Sequence, residues 1–536
     1  MTPSAALSNR QVIRAALVVL LGFVASGILG VIRTAVFSST FGTSSQLDAF
    51  YAAQRIPEML FTLVAGGALG SSFLPVFTRH LSTEDRTSAW RLASAVMTLS
   101  ALAATLLAIL LYLFAPVLVP SLLVPRATPD EQALTIMLTR MMLSTTVIFS
   151  ISGLLMGILN AHQLFLLPSL AISMNNVGLI IGALVIAPAL PHTSGLAQMG
   201  EANITGLAWG ALLGALLHLA IQIPGLFKVK ARLRPLFAPR LPGVREVMMM
   251  MGPRVLGLAV VQINFAVNVA FASGMAAGSQ VALNTAWFLM FFALGILAQS
   301  AGTAIFPSLA ALAAKDDMEG FRQRLSSTLR SVLFLVFPAS VGLIVLGRPI
   351  VALLFQRGEF TTESTAATAW ALSFFAFGMA GHALLEVLSR AFYALSDTWT
   401  PVRVGLISMI SNIVLSIIFI QFIGEPGSLA RGPFAGLALS NSLTTLLEGA
   451  ALWWLMSRRL GGAHDSYLVN GAMRALAAAL GMGIGVWFVT ERLIDTGDVP
   501  TALIGMGVGC VLFFGLALAL GIEEARTVPR MIFRRR

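Results

Sequence analysis

Residues 92–119 read LASAVMTLSALAATLLAILLYLFAPVLV, a run of 28 residues without a charged side chain. A helix of this length can cross a hydrocarbon core of about 30 Å, because each helical residue advances about 1.5 Å. Apolar runs of comparable length recur along the 536-residue chain, which is 57% hydrophobic and only 11% charged. A soluble domain carries about 25% charged residues. The sequence therefore predicts an all-α polytopic membrane protein.

Polar interruptions and Gly/Pro breaks divide the chain into fourteen predicted transmembrane helices. The first apolar run is too long for the apolar region of a signal peptide and lacks a small-residue cleavage site at its end, so we interpret it as a retained helix. The predicted spans are 11–38, 46–79, 88–119, 132–160, 165–190, 205–227, 243–276, 278–313, 322–356, 362–395, 399–423, 431–457, 467–490 and 499–522.

The basic residues predict the orientation of these helices, since Lys and Arg concentrate in cytoplasmic loops. Of the 34 Lys and Arg residues, 25 fall on one side of the predicted spans and five on the other. Both termini should therefore be cytoplasmic. Because the net charge of +11 sits in short loops, it indicates membrane topology and contact with membrane lipids, and not nucleic-acid binding. The densest cluster, Lys228 to Arg245, is typical of a solvated connector between two halves.

Two proline markers indicate an internal repeat. Pro75 and Pro307 end similar segments 232 residues apart, and Pro168 and Pro401 follow later helices 233 residues apart. An even number of helices separates each pair, so the halves should share one orientation, as in transporters built from parallel repeats. The predicted domains are an N-terminal six-helix lobe (1–236), a C-terminal six-helix lobe (237–462), and two additional helices with a basic cytoplasmic tail (463–536).

Four arginines lie within the predicted spans: Arg33, Arg55, Arg140 and Arg254. An arginine at the bilayer centre costs about 2.5–3.5 kcal/mol on insertion scales, so each needs a partner, a polar cavity or a route to the interface. Asp48 lies on the helix that carries Arg55. These five residues are the candidate substrate-binding site for an anion. The alternative for each arginine is an ion pair or a side chain that reaches the membrane surface.

No catalytic or metal-binding motif stands out. The six histidines form no metalloprotease pattern, and no glycine-rich phosphate loop ends in Gly-Lys-Ser/Thr. Cys510 is the single cysteine, which excludes an intrachain disulfide and a paired-cysteine metal site. We therefore expect a transporter and not an enzyme, with no cofactor and with a coupling ion that the sequence does not identify.

Several motifs in order resemble the MurJ/MviN family of lipid II flippases. The resemblance begins with Ser26-Gly-Ile-Leu-Gly-Val-Ile-Arg33, Leu47-Asp48-Ala-Phe50, Arg55-Ile-Pro57 and Gly67-Ala-Leu-Gly-Ser-Ser-Phe-Leu-Pro-Val-Phe77. It continues through Met251-Gly-Pro253, Leu354-Phe-Gln-Arg-Gly-Glu-Phe-Thr361 and Arg390-Ala-Phe-Tyr-Ala-Leu-Ser-Asp-Thr-Trp-Thr-Pro401. These motifs span the first twelve predicted helices.

The resemblance implies two six-helix lobes around a central cavity, with two C-terminal helices that form a groove for a polyprenyl tail. It implies alternating access that carries lipid II, an undecaprenyl-pyrophosphate-linked glycopeptide, from the cytoplasmic to the outer leaflet of the bacterial inner membrane. The implied role is peptidoglycan synthesis, and hence cell wall biogenesis and cell shape, and we expect a monomer. Arginines in the cavity would suit a pyrophosphate, because guanidinium groups bind phosphate oxygens in pairs.

The sequence departs from the family pattern at several charged positions. Gly27, Phe61 and Phe288 stand where the family commonly has cavity arginines, and Gly66 and Phe291 replace glutamates. Asn264 and Asn268 occupy the region of a carboxylate that binds sodium in some members. Two other functions therefore remain open: transport of another lipid-linked glycan, or of a drug or cation, within the same superfamily, and a membrane interaction protein that transports nothing.

Overall fold

The computed structural model describes residues 9–62, 68–82, 86–191, 202–462, 465–493 and 496–526. Within these residues every regular element is a helix, so the predicted all-α class is confirmed. Ten of the described helices are long and apolar enough to cross a membrane, or eleven if one bent pair counts as a single span. The chain divides by its internal contacts into two units, residues 1–274 and 275–536.

The described residues of the first unit form ten helices in chain order. Their bounds are α1 Asn9–Phe41, α2 Ser45–Leu60, α3 Ala68–Ser82, α4 Arg86–Leu118, α5 Pro129–Ala161, α6 Leu166–Ile181, α7 Ala187–Ala189, α8 Thr205–Ala220, α9 Ile223–Lys228 and α10 Pro242–Ala272. Short π-helical turns follow α4 at Val119–Leu123 and α6 at Gly182–Ile186.

Another ten helices are described in the second unit. They are α11 Ser279–Leu294, α12 Ser300–Ala314, α13 Met318–Val345, α14 Gly347–Phe355, α15 Thr362–Phe377, α16 Met379–Ala394, α17 Trp399–Phe422, α18 Phe434–Arg459, α19 Asp465–Leu493 and α20 Asp498–Ala519. A π-helical turn at Gly295–Gln299 joins α11 to α12.

Each predicted span corresponds to one helix or to a broken pair. The bent pair α15 and α16 meets at 47° beside Gly378. Besides this bent pair, three predicted spans are not among the ten long apolar helices, and they correspond to α2–α3, α10 and α18. The first of these carries Asp48, Arg55 and Glu58, and α18 carries Glu448. Charged side chains lower the hydropathy of such helices, so the count of fourteen stays a prediction.

The predicted lobe boundary at 236/237 precedes α10, and α10 packs on the first unit. Arg79 of α3 and Glu246 of α10 form an ion pair, and Gln262 donates a hydrogen bond to Thr62 at 3.3 Å. The six-helix lobes and their boundaries stay predictions. Of the predicted basic tail, Arg530 and residues 534–536 lie outside the described residues.

Glycines let α6 and α8 approach closely in the first unit. A Cβ added at Gly178 would lie 2.2 Å from the backbone nitrogen of Gly214, and one at Gly182 would lie 2.6 Å from the Cα of Gly210. Small residues spaced four apart on both helices are a typical membrane packing device, because they bring the backbones into van der Waals contact. This interface fixes α6, which carries Asn175 and Asn176, against the bundle.

A buried ion pair ties the C-terminal helices to α13 in the second unit. Arg330 Nε lies 2.6 Å from Glu524 Oε1, and Arg330 Nη2 donates to Glu524 Oε2 at 3.1 Å. Its guanidinium lies 4.2 Å from the centre of the Tyr467 ring of α19. An apolar cluster that includes Phe334, Ala479 and Phe513 packs beside this pair. The last two helices are thus packed firmly within the second unit.

Candidate anion-binding site in the first unit

A tight connection between α1 and α2 positions the first candidate residues. Gly42 has φ of 57°, a left-handed conformation that glycine adopts without steric cost. Ser44 then caps α2 by accepting a hydrogen bond from the Leu47 amide at 3.3 Å. The buried rings of Phe37 and Phe50 meet edge to face at 5.8 Å and fix the two helices together. Arg33 lies one turn before Phe37, on α1.

Arg33 is held by a residue of α6. Its Nη1 donates to Asn176 Oδ1 at 3.1 Å, while Asn176 Nδ2 donates to the Ser26 carbonyl at 3.3 Å. The guanidinium lies 5.9 Å from the centre of the Phe37 ring. Asn176 is buried, with 7% of its surface exposed. Because an amide is neutral, this hydrogen bond orients the guanidinium without cancelling its positive charge.

Tyr51 connects three of the predicted site residues. Its hydroxyl lies within electrostatic range of Arg33, Arg55 and Asp48. Asp48 occupies the first turn of α2, where a carboxylate interacts favourably with the helix dipole. The structure therefore brings Arg33, Asp48 and Arg55 into one polar region at the start of the first unit.

Arg55 lies on α2, about 15 Å along the helix from its first residue at 1.5 Å per residue. Its Nη1 donates to Glu58 Oε2 at 3.1 Å, one turn further on. Its guanidinium also lies 5.2 Å from the centre of the Phe265 ring on α10. Most of the Arg55 side chain is buried, whereas 45% of the Glu58 side chain is exposed. Arg55 thus sits where α2 faces α10.

Arg140 and Arg254 are not seen in this polar region. Arg140 lies on α5 and its Nε donates to the Tyr112 carbonyl at 3.1 Å, with its guanidinium 4.7 Å from the Tyr112 ring centre. Tyr112 is 48% exposed on α4. Arg254 belongs to α10, but its side chain lies outside the described part of the structure. Their predicted role stays a prediction.

Aromatic packing occupies the positions where the family pattern has charges. The Phe61 ring lies 5.1 Å from that of Phe149, which in turn meets His218 edge to face at 5.3 Å. In the second unit, Phe291 lies 4.3 Å from Trp287 and 5.4 Å from His382. These rings pack on neighbours of their own unit and supply no charge. Gly66 lies outside the described residues.

The second unit has a polar cavity that the sequence did not predict. Glu386 Oε1 and Arg390 Nη1 form an ion pair at 2.5 Å on α16, beside Gly302 of α12. The cavity measures about 400 Å³, and its lining residues are Phe306, Leu385, Glu386, Ser389, Arg390 and Tyr393. At the repeat offset of 233, the residue equivalent to Arg390 is Gly157, which packs against Phe73. The predicted repeat therefore pairs a charged residue with a glycine at this position.

The described residues hold no group of three or more His, Cys, Asp or Glu side chains that could bind a metal ion. Asn268 donates to Asn264 at 3.0 Å on α10. The described polar region of the first unit therefore contains Arg33, Arg55, Asp48 and Tyr51, with the two arginines hydrogen-bonded to Asn176 and Glu58. Guanidinium groups are the side chains that bind oxyanions through paired hydrogen bonds.

Sequence reasoning missed Asn176 and the Glu386–Arg390 cavity. Two adjacent asparagines in the apolar run 165–190 are a signal that could have identified the first, because buried amides need partners. The spacing of four residues between Glu386 and Arg390 indicated the ion pair but not the cavity, since a cavity depends on how α12 and α16 pack.

The family model and two similar relatives point to the same family. The model of the family "Lipid II flippase MurJ" matches residues 37–506. A lipid II flippase MurJ of Burkholderia cenocepacia is 30% identical over 440 residues, 81% of each chain. A probable lipid II flippase MurJ of Vibrio cholerae is 29% identical over 546 residues, covering 97% of this chain and 98% of the relative.

Solved structures share the fold. A lipid II flippase MurJ in an inward closed conformation matches with a TM-score of 0.77 and 24% identity, covering 94% of this chain and 98% of that one. An inward-facing MATE-family multidrug transporter matches with a TM-score of 0.62 and 16% identity, covering 81% and 94% of the two chains.

Proposed function

The chain belongs to the lipid II flippase MurJ family, and we propose that Arg33 and Arg55 hold the pyrophosphate of lipid II while it crosses the membrane by alternating access. As a member of this family the protein is a transporter and not an enzyme. It flips lipid II, acts in peptidoglycan and cell wall synthesis, and is a multi-pass protein of the bacterial inner membrane.

The hydrogen bond from Arg33 to Asn176 is the observation that carries the proposal. In the ion pair of Arg330 with Glu524, a carboxylate offsets the guanidinium charge. Asn176 is a neutral acceptor, so it orients Arg33 and adds no negative charge of its own beside the guanidinium. Charge-assisted hydrogen bonds to phosphate oxygens are about twice as strong as neutral ones, and a guanidinium can form two side by side.

Arg55 and Asp48 extend this binding site. Arg55 adds a second positive charge on α2, and its ion pair with Glu58 can exchange for a phosphate because the glutamate is exposed. Asp48 lies within electrostatic range of the same tyrosine as both arginines, and its role in the proposal is to orient an arginine. Arg140 and Arg254 stay predicted members of the site.

Two further parts of the proposal concern orientation and assembly. Both termini lie in the cytoplasm, which the asymmetry of 25 against five basic residues supports. Transport then runs from the cytoplasmic to the outer leaflet, and one chain performs it as a monomer. Cys510 is the single cysteine, so a Cys510→Ser background permits one-site labelling of either terminus to test the orientation.

The superfamily alternatives are less well supported. The MATE-family transporter shares the fold at 16% identity, and a fold alone does not identify a substrate. Membership of the MurJ family favours lipid II over a drug or a cation.

Rescue of a bacterium depleted of its own lipid II flippase tests the proposed site. We expect the wild-type chain to restore growth and the Arg33→Ala variant not to restore it. The Arg55→Ala variant should restore growth less well than wild type. Arg403→Ala is the matched control, because Arg403 is an exposed arginine at the start of α17. Equal rescue by wild type, Arg33→Ala and Arg55→Ala, at equal expression, would show that the proposed site is wrong.

A further inference from the structure

The segment from Lys228 to Arg245, here called the basic strap, is not a free connector. It leaves α9, crosses the first unit without regular structure, and enters α10. Side chains of alternate residues Val229, Ala231 and Leu233 pack on the apolar core of α3, α4 and α5. The Arg234 amide donates to Ser94 Oγ at 3.1 Å, and the Leu236 amide donates to Thr98 Oγ1 at 3.0 Å. The strap is thus fixed along α4.

This packing turns the charges of the strap outward. The intervening residues are exposed, and with the flanking positions they give six cations: Lys228, Lys230, Arg232, Arg234, Arg240 and Arg245. The strap contains no acidic residue. Across the part of the chain that the structure describes, none of these six side chains takes part in an ion pair. The outward face therefore presents a dense positive charge that no ion pair among the described residues neutralises.

Two exposed aromatic rings accompany these charges. Phe237 within the strap is 67% exposed, and Phe227 just before it is 78% exposed. Large apolar side chains this exposed among cations are unfavourable in water but suit a membrane interface, where the rings enter the acyl region and the cations meet headgroups.

The position of the strap along α4 agrees with an interface. Ser94 and Thr98 lie in the first turns of the apolar run that begins after exposed Arg91. The strap is therefore held at the point where the sequence of α4 changes from polar to apolar. The preceding candidate membrane span ends at Lys228, where the strap begins. We propose that the basic strap binds anionic phospholipid headgroups of the cytoplasmic leaflet, with Phe227 and Phe237 inserted beneath them.

Binding of anionic phospholipid by the strap does not depend on lipid II transport. It does require the strap to lie on the cytoplasmic side of the membrane, as the predicted orientation of the helices places it. Each basic residue near an anionic surface strengthens attachment about fivefold at low ionic strength, and salt weakens the effect. Removing three cations from the strap should therefore weaken binding of an anionic lipid by at least about tenfold.

Native mass spectrometry of the purified full-length protein can measure how strongly the strap binds each phospholipid. Phosphatidylglycerol and phosphatidylcholine with identical acyl chains are titrated into wild type and into the triple variant Lys230→Gln, Arg232→Gln, Arg234→Gln. We expect the variant to bind phosphatidylglycerol at least about tenfold more weakly, with phosphatidylcholine binding unchanged. Since the inward-facing side chains are untouched, the variant should keep the melting temperature of wild type.

A control variant with the same change in net charge isolates the strap. Lys315→Gln, Arg324→Gln, Arg403→Gln removes three exposed cations of the second unit. The control should keep wild-type phosphatidylglycerol binding. Undiminished binding by the strap variant, or an equal loss in the control, would overturn the proposal. A strap variant that loses the anionic lipid but still flips lipid II would support the strap proposal and leave the transport site unaffected.

Discussion

Asn176 of α6 holds Arg33 of α1 at 3.1 Å and at the same time binds the Ser26 carbonyl of α1. One buried amide thus connects a guanidinium to the backbone of its own helix two turns earlier. This arrangement makes Asn176 a positioning residue for Arg33.

Asn176→Ala should slow lipid II flipping about tenfold, because a hydrogen bond to a charged group is worth about 1.5–3 kcal/mol. Asn176→Asp should slow it further, since a carboxylate would keep Arg33 in place but neutralise it. Flipping by purified protein in vesicles measures both, with the melting temperature as the check on folding. If Asn176→Asp flips faster than Asn176→Ala, the charge of Arg33 is not what Asn176 preserves.

The pair of Arg330 and Glu524 predicts a large loss of stability on substitution. Both side chains are about 10% exposed, and removing one partner leaves a buried charge, which costs about 3–5 kcal/mol. Arg330→Met should therefore lower the melting temperature strongly, whereas Arg330→Met with Glu524→Leu should recover most of it. Thermal unfolding in detergent tests this, and a double variant no more stable than the single one would contradict the role of the uncompensated charge.

Asp397 lies in the loop between α16 and α17, and we expect it to make the stability of the fold depend on pH. Burial raises the pKa of this carboxyl, but hydrogen bonds from Thr400 and Arg459 outweigh it and hold the pKa below its usual value. A depressed pKa stabilises the fold above the unfolded-state pKa of about 3.9, and the stabilisation disappears as pH falls through the folded value.

Asp397→Asn should therefore be less stable than wild type at pH 7, by less than about 1 kcal/mol because 43% of the Arg459 side chain is exposed. The difference should shrink below pH 4. Melting temperatures of both proteins from pH 7 to pH 3 give the comparison. A difference that stays constant over this range would exclude the ionised carboxylate as its cause.

The glycine contact between α6 and α8 predicts that a single methyl group disrupts the first unit. Gly178→Ala would place Cβ 2.2 Å from the Gly214 nitrogen, so the helices must separate, at about 1–3 kcal/mol for an overpacked site. Gly507→Ala is the matched control, because nothing lies within 4 Å of its Cβ position. Thermal unfolding should separate the two variants, and equal melting temperatures would show that α6 and α8 can move apart freely.

The all-α membrane class was predictable because the length and hydropathy of a segment indicate whether it can cross a bilayer. The sequence singles out Arg33, Asp48 and Arg55 because a charged side chain in an apolar run is costly to insert, and their role in binding stays a prediction. The contact of Arg140 with Tyr112 was not, because it depends on how α4 and α5 rotate against each other. The strap from Lys228 to Arg245 was interpreted as a solvated connector, since sequence alone gives no sign of its hydrogen bonds to Ser94 and Thr98.

In the proposed mechanism, Arg33, held by Asn176, binds the pyrophosphate of lipid II. The most direct test is the rate of lipid II flipping by purified protein in vesicles, with Arg33→Ala, Arg33→Lys and the control Arg403→Ala. Arg33→Ala should flip lipid II at least about tenfold more slowly than wild type. Arg33→Lys should keep part of the wild-type rate because a positive charge remains. Arg403→Ala should flip lipid II at the wild-type rate. Flipping by Arg33→Ala at the wild-type rate, in the same vesicles and at the same protein density, would contradict the account.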